Sequence, residues 1–108
     1  MEENSNRGYS IVHHTVQDYT KWKIVFDDID DLRKKYGEKS YQVFRTQSNP
    51  NEVYILISWD NIESAKKYMN SSDLKDAMKR AGVQGIPEIN LINEVEFRIA
   101  VKLPEMKQ

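Results

Sequence analysis

The chain has 108 residues, 39% of them hydrophobic and 31% charged, and its 16 basic and 17 acidic side chains leave a net charge of −1. That length suits one domain, and the balanced charge argues against a nucleic-acid partner, which needs a basic excess to displace counterions. With no cysteine, disulfides, thiolate nucleophiles and cysteine metal sites are excluded, and no apolar run approaches the roughly 20 residues of a membrane helix.

Residues 1–8, MEENSNRG, are polar. They read as a disordered tail without the basic-then-apolar order of a signal peptide, so the expected location is cytoplasmic. YSIVHHTV at 9–16 is β-branched and aromatic and predicts a strand. Asp18 is placed to cap a helix. Tyr19, Trp22, Val25, Phe26, Ile29, Leu32 and Tyr36 then recur at helical spacing, and Gly37 closes the run. A second strand is expected over 40–47, followed by turn chemistry in SNPNE at 48–52. VYILISW at 53–59 is apolar at nearly every position, as a central strand buried on both faces would be. Asp60 with Glu63 suggests a capping box for a helix through Met69. A further short helix, begun by Ser72 or Asp73, carries Leu74, Ala77, Met78 and Ala81 up to Gly82. AGVQGIP at 81–87 reads as a loop. From Ile89 to Leu103 apolar residues alternate with polar ones, the period of a strand with one buried face, and Pro104 ends it.

This order predicts an α+β, ferredoxin-like βαββαβ domain over 9–103, with one antiparallel sheet, both helical segments on one face, and a short tail at 104–108. Helices cover one sheet face, yet VYILISW has apolar side chains for both. The second face is therefore expected to meet the same face of a second copy, and the homodimer to enclose a barrel able to hold a small apolar or aromatic ligand. The last alternating run is too long for this sheet. Residues 89–103 would extend about 50 Å as a strand, against about 23 Å for 53–59. Residues 95–103 are thus expected to leave the home sheet and pack on the partner, with a fold-back onto the chain's own helices as the alternative.

Several residue constellations are tested against chemistry. His13 and His14 are the only histidines. Neighbours on a strand point to opposite faces, so they cannot share one metal, and zinc would need three or four ligands; no metal is expected. Arg45 follows Phe44 on the second strand, so one points to each face. An inward arginine would bind a carboxylate or stabilise an enolate, and an outward one would sit in solvent. Trp59, at the end of the central strand, lines the barrel mouth or packs under the second helix. Trp22, Phe26 and Tyr36 belong to the core stripe. Asp27, Asp28, Asp30 and Asp31 lack the glycine and spaced glutamate of a calcium loop and read as a solvated face, with Asp30–Lys34 and Asp31–Lys35 as i,i+4 pairs. No phosphate-cradling or dinucleotide glycine motif and no nucleophile elbow is present.

Certain segments carry a resemblance. VxDYxxWKxxFD at 16–27, the Arg33–Gly37 spacing, VFR at 43–45, PNEV at 50–53, SWD at 58–60 and AGVxGxP at 81–87 together resemble the dimeric α+β barrel superfamily, in the branch of the antibiotic-biosynthesis monooxygenases. The likeness spans about residues 10 to 96. It implies a barrel-forming dimer and a range of activities from cofactor-independent oxygenation to ligand binding without turnover. It also matches His14 to a histidine position of the branch. His14 is accordingly expected to line the barrel pocket, with Phe44 and Trp59, and to act as general base with Arg45 as anion partner. The haem-degrading relatives carry their axial histidine on the second helical segment, where this chain has none, so no cofactor is expected. A cofactor-independent monooxygenase acting on an acidic aromatic or polyketide-like compound, a non-catalytic ligand-binding or stress-response barrel, and a dimerisation module with a filled barrel remain as readings.

Overall fold

The computed structural model describes residues 8–103. Of the tail expected at 1–8, residues 1–7 lie outside the described residues, as does the tail expected at 104–108, and Gly8 opens the first strand. The elements are β1 (Gly8–Val16), α1 (Tyr19–Asp28), α2 (Asp30–Tyr36), β2 (Glu38–Arg45), β3 (Glu52–Trp59), α3 (Ile62–Met69), α4 (Ser72–Arg80) and β4 (Val83–Ile92). The four strands form one sheet in the order β2-β3-β1-β4, antiparallel throughout. This is the expected ferredoxin-like α+β architecture, with each helical segment divided in two. No helix among the described residues is long and apolar enough to cross a membrane.

The division of the first segment has a local cause. Asp18 caps α1 as expected, its carboxylate accepting from the Thr20 and Lys21 amides. The stripe that follows predicts one helix to Tyr36, but the chain leaves helical geometry at Ile29 (φ −99°, ψ 19°). The Phe26 carbonyl, which would accept from Asp30 in an unbroken helix, instead accepts from Arg33 Nη1 at 2.7 Å. Gly37 then ends α2 at φ +116°, a conformation that favours glycine. The cap of α3 is Asn61, which accepts from the Ser64 amide at 2.9 Å, and not Asp60. Ser71 caps α4 in the same way through the Leu74 amide.

Two differences concern the C-terminal third. Of the loop expected at 81–87 only Ala81 and Gly82 form a turn, and the rest belongs to β4. Val83 and Gln84 already pair with Val16 and Thr15, and the register slips before Glu88 pairs with His13, so Gly85–Pro87 form an irregularity inside β4. Glycine and proline read as loop signals, whereas here they mark a bulge. The strand expected over 89–103 stops at Ile92, opposite Tyr9, and among the described residues 93–103 pair with no strand.

Pleat parity divides the sheet into two unlike faces. Val12 and Val16 of β1 and Val53, Ile55, Ile57 and Trp59 of β3 are buried under the helices, against Trp22, Phe26, Ala65 and Tyr68. The opposite face carries Tyr9, Ile11, His13, Tyr54, Leu56 and the half-exposed Phe44, and no described helix covers it.

Candidate functional site

The helix-covered face holds a small cleft. Its floor is Val12, His14, Ile55 and Ile57 of the sheet with Ile89 of β4, and its walls include Trp22, Phe26, Arg33, Tyr68, Met69 and Met78 of the four helices. The cavity measures about 50 Å³, room for a few waters. A ring-sized ligand needs the walls to yield, and Met69 and Met78, unbranched and flexible, are the side chains best able to swing.

His14 is the polar feature of this cleft. Its side chain is only 6% exposed, and neither ring nitrogen has a hydrogen-bond partner. A buried polar group normally finds one, because leaving it unmet costs about 1–3 kcal/mol. Trp22 meets its ring edge-on, centroids 5.8 Å apart, and stacks in turn on Phe26 at 4.9 Å. Burial pushes the imidazole down to about 4, with the charge of His13 as a lesser cause. At neutral pH His14 is therefore an uncharged ring with one donor and one acceptor, both unspent.

The cation of the cleft, Arg33, is already engaged. Arg33 is 1% exposed and stacks on Phe26 at 3.7 Å. Its Nε donates to Glu38 at 2.7 Å, Nη1 to the Phe26 carbonyl and Nη2 to Asp30 at 3.2 Å. Two carboxylates thus neutralise it and its donors point at them, so it is a wall of the cleft and not a free cation. Burial raises the Tyr68 phenol to about 12, so it stays protonated.

The sequence-expected site residues disperse. His14 does line a pocket, but one between sheet and helices within a single subunit and not the inter-sheet barrel, because β1 turns the parity of Val12, His14 and Val16 toward the helices. His13 takes the bare face. There it stacks on Tyr54 at 4.2 Å, with Nε2 2.7 Å from Glu52 and Nδ1 3.3 Å from Glu88. The hydrogen bond to Glu52 raises its pKa above the usual histidine value. Phe44 also lies on the bare face. Trp59 lies wholly buried beside Tyr68, its indole N–H donating to Ser10 at 3.0 Å. Arg45 sits exposed at the end of the edge strand with its guanidinium 4.1 Å from the Tyr19 ring, and does not line the cleft. The sequence reading used Arg33 only for its spacing to Gly37 and did not assign it to the site, although its place three and four residues from the stripe positions Tyr36 and Ile29 was the available signal. Among the described residues no group of three or more histidines and carboxylates is placed to hold a metal ion.

A profile of the antibiotic biosynthesis monooxygenases matches residues 22–80, running from the tryptophan of the cleft to the end of α4. The chain belongs to the antibiotic biosynthesis monooxygenase family. Solved structures agree in fold. SnoaB, a cofactor-independent oxygenase from Streptomyces nogalater, superposes with a TM-score of 0.71 at 11% identity, over 85% of this chain and 96% of that one. A conserved protein from Methanosarcina mazei Go1 gives a TM-score of 0.69 at 15% identity, over 86% and 97%. No curated protein matches the chain in sequence. Family membership covers the segment that walls the cleft, but at these identities the solved structures speak for the fold alone.

Proposed function

We propose that this family member binds an uncharged aromatic compound bearing a hydroxyl or an acidic C–H in the cleft beneath its helices, and oxidises it with molecular oxygen without a cofactor. The observation that carries the reading is His14, buried in hydrocarbon with both nitrogens unmet. An apolar ring satisfies the walls, and one polar substituent satisfies the imidazole. With Arg33 engaged by Glu38 and Asp30, no spare cation waits for a ligand carboxylate, so the substrate enters neutral.

The chemistry then falls to His14. A conjugate acid with a pKa of about 4 makes a weak base in the empty cleft. A substrate anion forming in contact with the ring favours the imidazolium and strengthens it as base, which makes His14 both proton acceptor and counter-ion. Oxygen adds to the resulting carbanion, the proton returns from His14 to give a hydroperoxide, and loss of water leaves a carbonyl. A methylene plus O₂ becomes a ketone plus H₂O, with no external reductant. The narrow cavity and the low pKa also favour a second reading, in which the same cleft binds its ligand without turnover.

Oxygen uptake with an anthrone and fluorescence of Trp22 titrated with 2-naphthol test both. Binding and uptake that His14→Leu abolishes support the oxygenase. Binding that His14→Leu weakens, with no uptake in the parent, selects the non-catalytic reading, and binding and uptake indifferent to His14→Leu overturn both. We also propose that the bare, largely apolar sheet face is a homodimer interface. Light scattering should return twice the chain mass, and a monomer at micromolar concentration would defeat it.

A further inference from the structure

We propose that His13, clamped between Glu52 and Glu88 on the bare sheet face, is a proton-operated switch for the homodimer: subunits associate with the imidazolium in place, and loss of its proton drives them apart. The inference rests on the homodimer reading and goes beyond it, because a sheet-face dimer does not require a bound proton.

The geometry sets the charge state. His13 Nε2 lies 2.7 Å from a Glu52 oxygen and Nδ1 3.3 Å from a Glu88 oxygen. Carboxylates only accept, so both ring nitrogens must donate, and only the imidazolium carries two N–H groups. A neutral ring would turn a lone pair toward one carboxylate. Tyr54 stacks on the imidazole, centroids 4.2 Å apart and planes within 4°, and the face of a phenol ring favours a cation further. Glu52 and Tyr54 of β3 and Glu88 of β4 are the titratable groups that face the ring. His14, next along β1, turns to the helices. Tyr9, which donates to Glu94, stands four residues back along β1, about 13 Å away. Among the described residues neither Glu52 nor Glu88 has another ion pair.

This cluster stands where association covers it. β1 and β3 are the central strands, and Ile11, Leu56 and Phe44 surround His13 and Tyr54 on the same face. In the single subunit the His13 and Glu52 side chains are 28 and 32% exposed, so water still screens them. A second copy laid on this apolar surround excludes that water. With the proton in place the cluster carries one net negative charge. Without it, two carboxylates are covered with no counter-ion, and the two-fold partner brings two more. A covered charge that has lost its partner costs far more than a paired one. The dimer therefore holds the His13 proton more tightly than the free subunit does, and by linkage association takes up protons. A proton held ten times more tightly in each of two subunits weakens the dimer about a hundredfold across the titration. The hydrogen bond to Glu52 already raises the pKa of His13 in the single subunit, so the weakening falls above the usual histidine range.

Sedimentation equilibrium from pH 6 to 9 on the full chain, on His13→Gln and on Glu52→Gln decides the matter, with circular dichroism at each pH and an NMR titration of the imidazole at two protein concentrations. The expected result is a dissociation constant that rises about a hundredfold over this range while helix content holds. His13→Gln should dimerise with a constant indifferent to pH, and Glu52→Gln should move the rise to lower pH. The imidazole should give up its proton at higher pH in the concentrated sample. A parent that dimerises equally well at every pH, or more tightly as pH rises, overturns the switch and leaves the homodimer standing. A rise that survives in His13→Gln, or an imidazole titration indifferent to concentration, also overturns it. A full chain that is monomeric throughout removes the homodimer and the switch with it.

Discussion

The two faces of the sheet are made by the same strands, residue by alternate residue, yet they are different solvents. On β1, His14 looks into hydrocarbon under the helices and His13 looks out beside Glu52 and Glu88. Burial pushes the first imidazole down to about 4, and a carboxylate pulls the second up. One peptide bond separates them, so the difference owes nothing to sequence neighbourhood. It shows that in this molecule the face, and not the residue type, assigns the role: the covered face stores an unmet polar group and the bare face pairs one with carboxylates. The same holds for arginine. Arg33 is buried and saturated with acceptors, whereas Arg45 lies exposed over a tyrosine ring.

The largest expected break of this contrast is at the covered face. Glu38→Leu would leave the Arg33 guanidinium buried without its closest carboxylate, both side chains being under 5% exposed. It should cost about 3–5 kcal/mol in chemical denaturation, and a loss below about 1 kcal/mol would mean that the pair is solvated in solution. Next comes a matched pair on neighbouring residues of β3. Ile55→Ala should cost about 2–4 kcal/mol, while Leu56→Ala on the bare face should leave the monomer within about 1 kcal/mol of the parent and act on association instead. Equal losses in dilute protein would show that the bare face is covered from within the subunit.

The histidines sharpen the comparison through pH. His14 binds its proton more weakly folded, at about 4, than unfolded, near 6.5. The unfolded chain therefore takes up more protons between these values, and stability falls as pH drops from 6.5 toward 4, by about 2 kcal/mol at pH 5. His14→Leu should flatten this acid limb in melts run from pH 7 to 4.5, and an unchanged slope would place the origin elsewhere. His13 has the opposite sign. Its raised folded value gives stability that is full below the unfolded pKa and fades as pH rises through the folded one. Because it is partly exposed and screened, His13→Gln should change stability by less than about 1 kcal/mol, and only on the acid side. This is the smallest effect here, and a loss that grows toward pH 9 would contradict it.

Much of the fold was legible because local signals agreed with the tertiary answer. The strand YSIVHHTV, the Asp18 cap, the Gly37 stop and the doubly apolar β3 each state their environment in a few residues. The site was less legible. Parity placed His13 and His14 on opposite faces, but β1 carries apolar side chains on both, so nothing in its eight expected residues told which face the helices would take. Phe44 and Trp59 were assigned to a pocket on the same undecided parity, and the structure sends them to opposite faces. The sequence by itself thus determined periodicities, caps and stops, which depend on contacts a few residues apart. The burial of Arg33, the break at Ile29, the strand identity of 83–87 and the solitude of His14 depend on groups brought together from distant elements. Only the packing of helices on one face of the sheet could decide them, because desolvation and pairing belong to the folded neighbourhood and not to the chain.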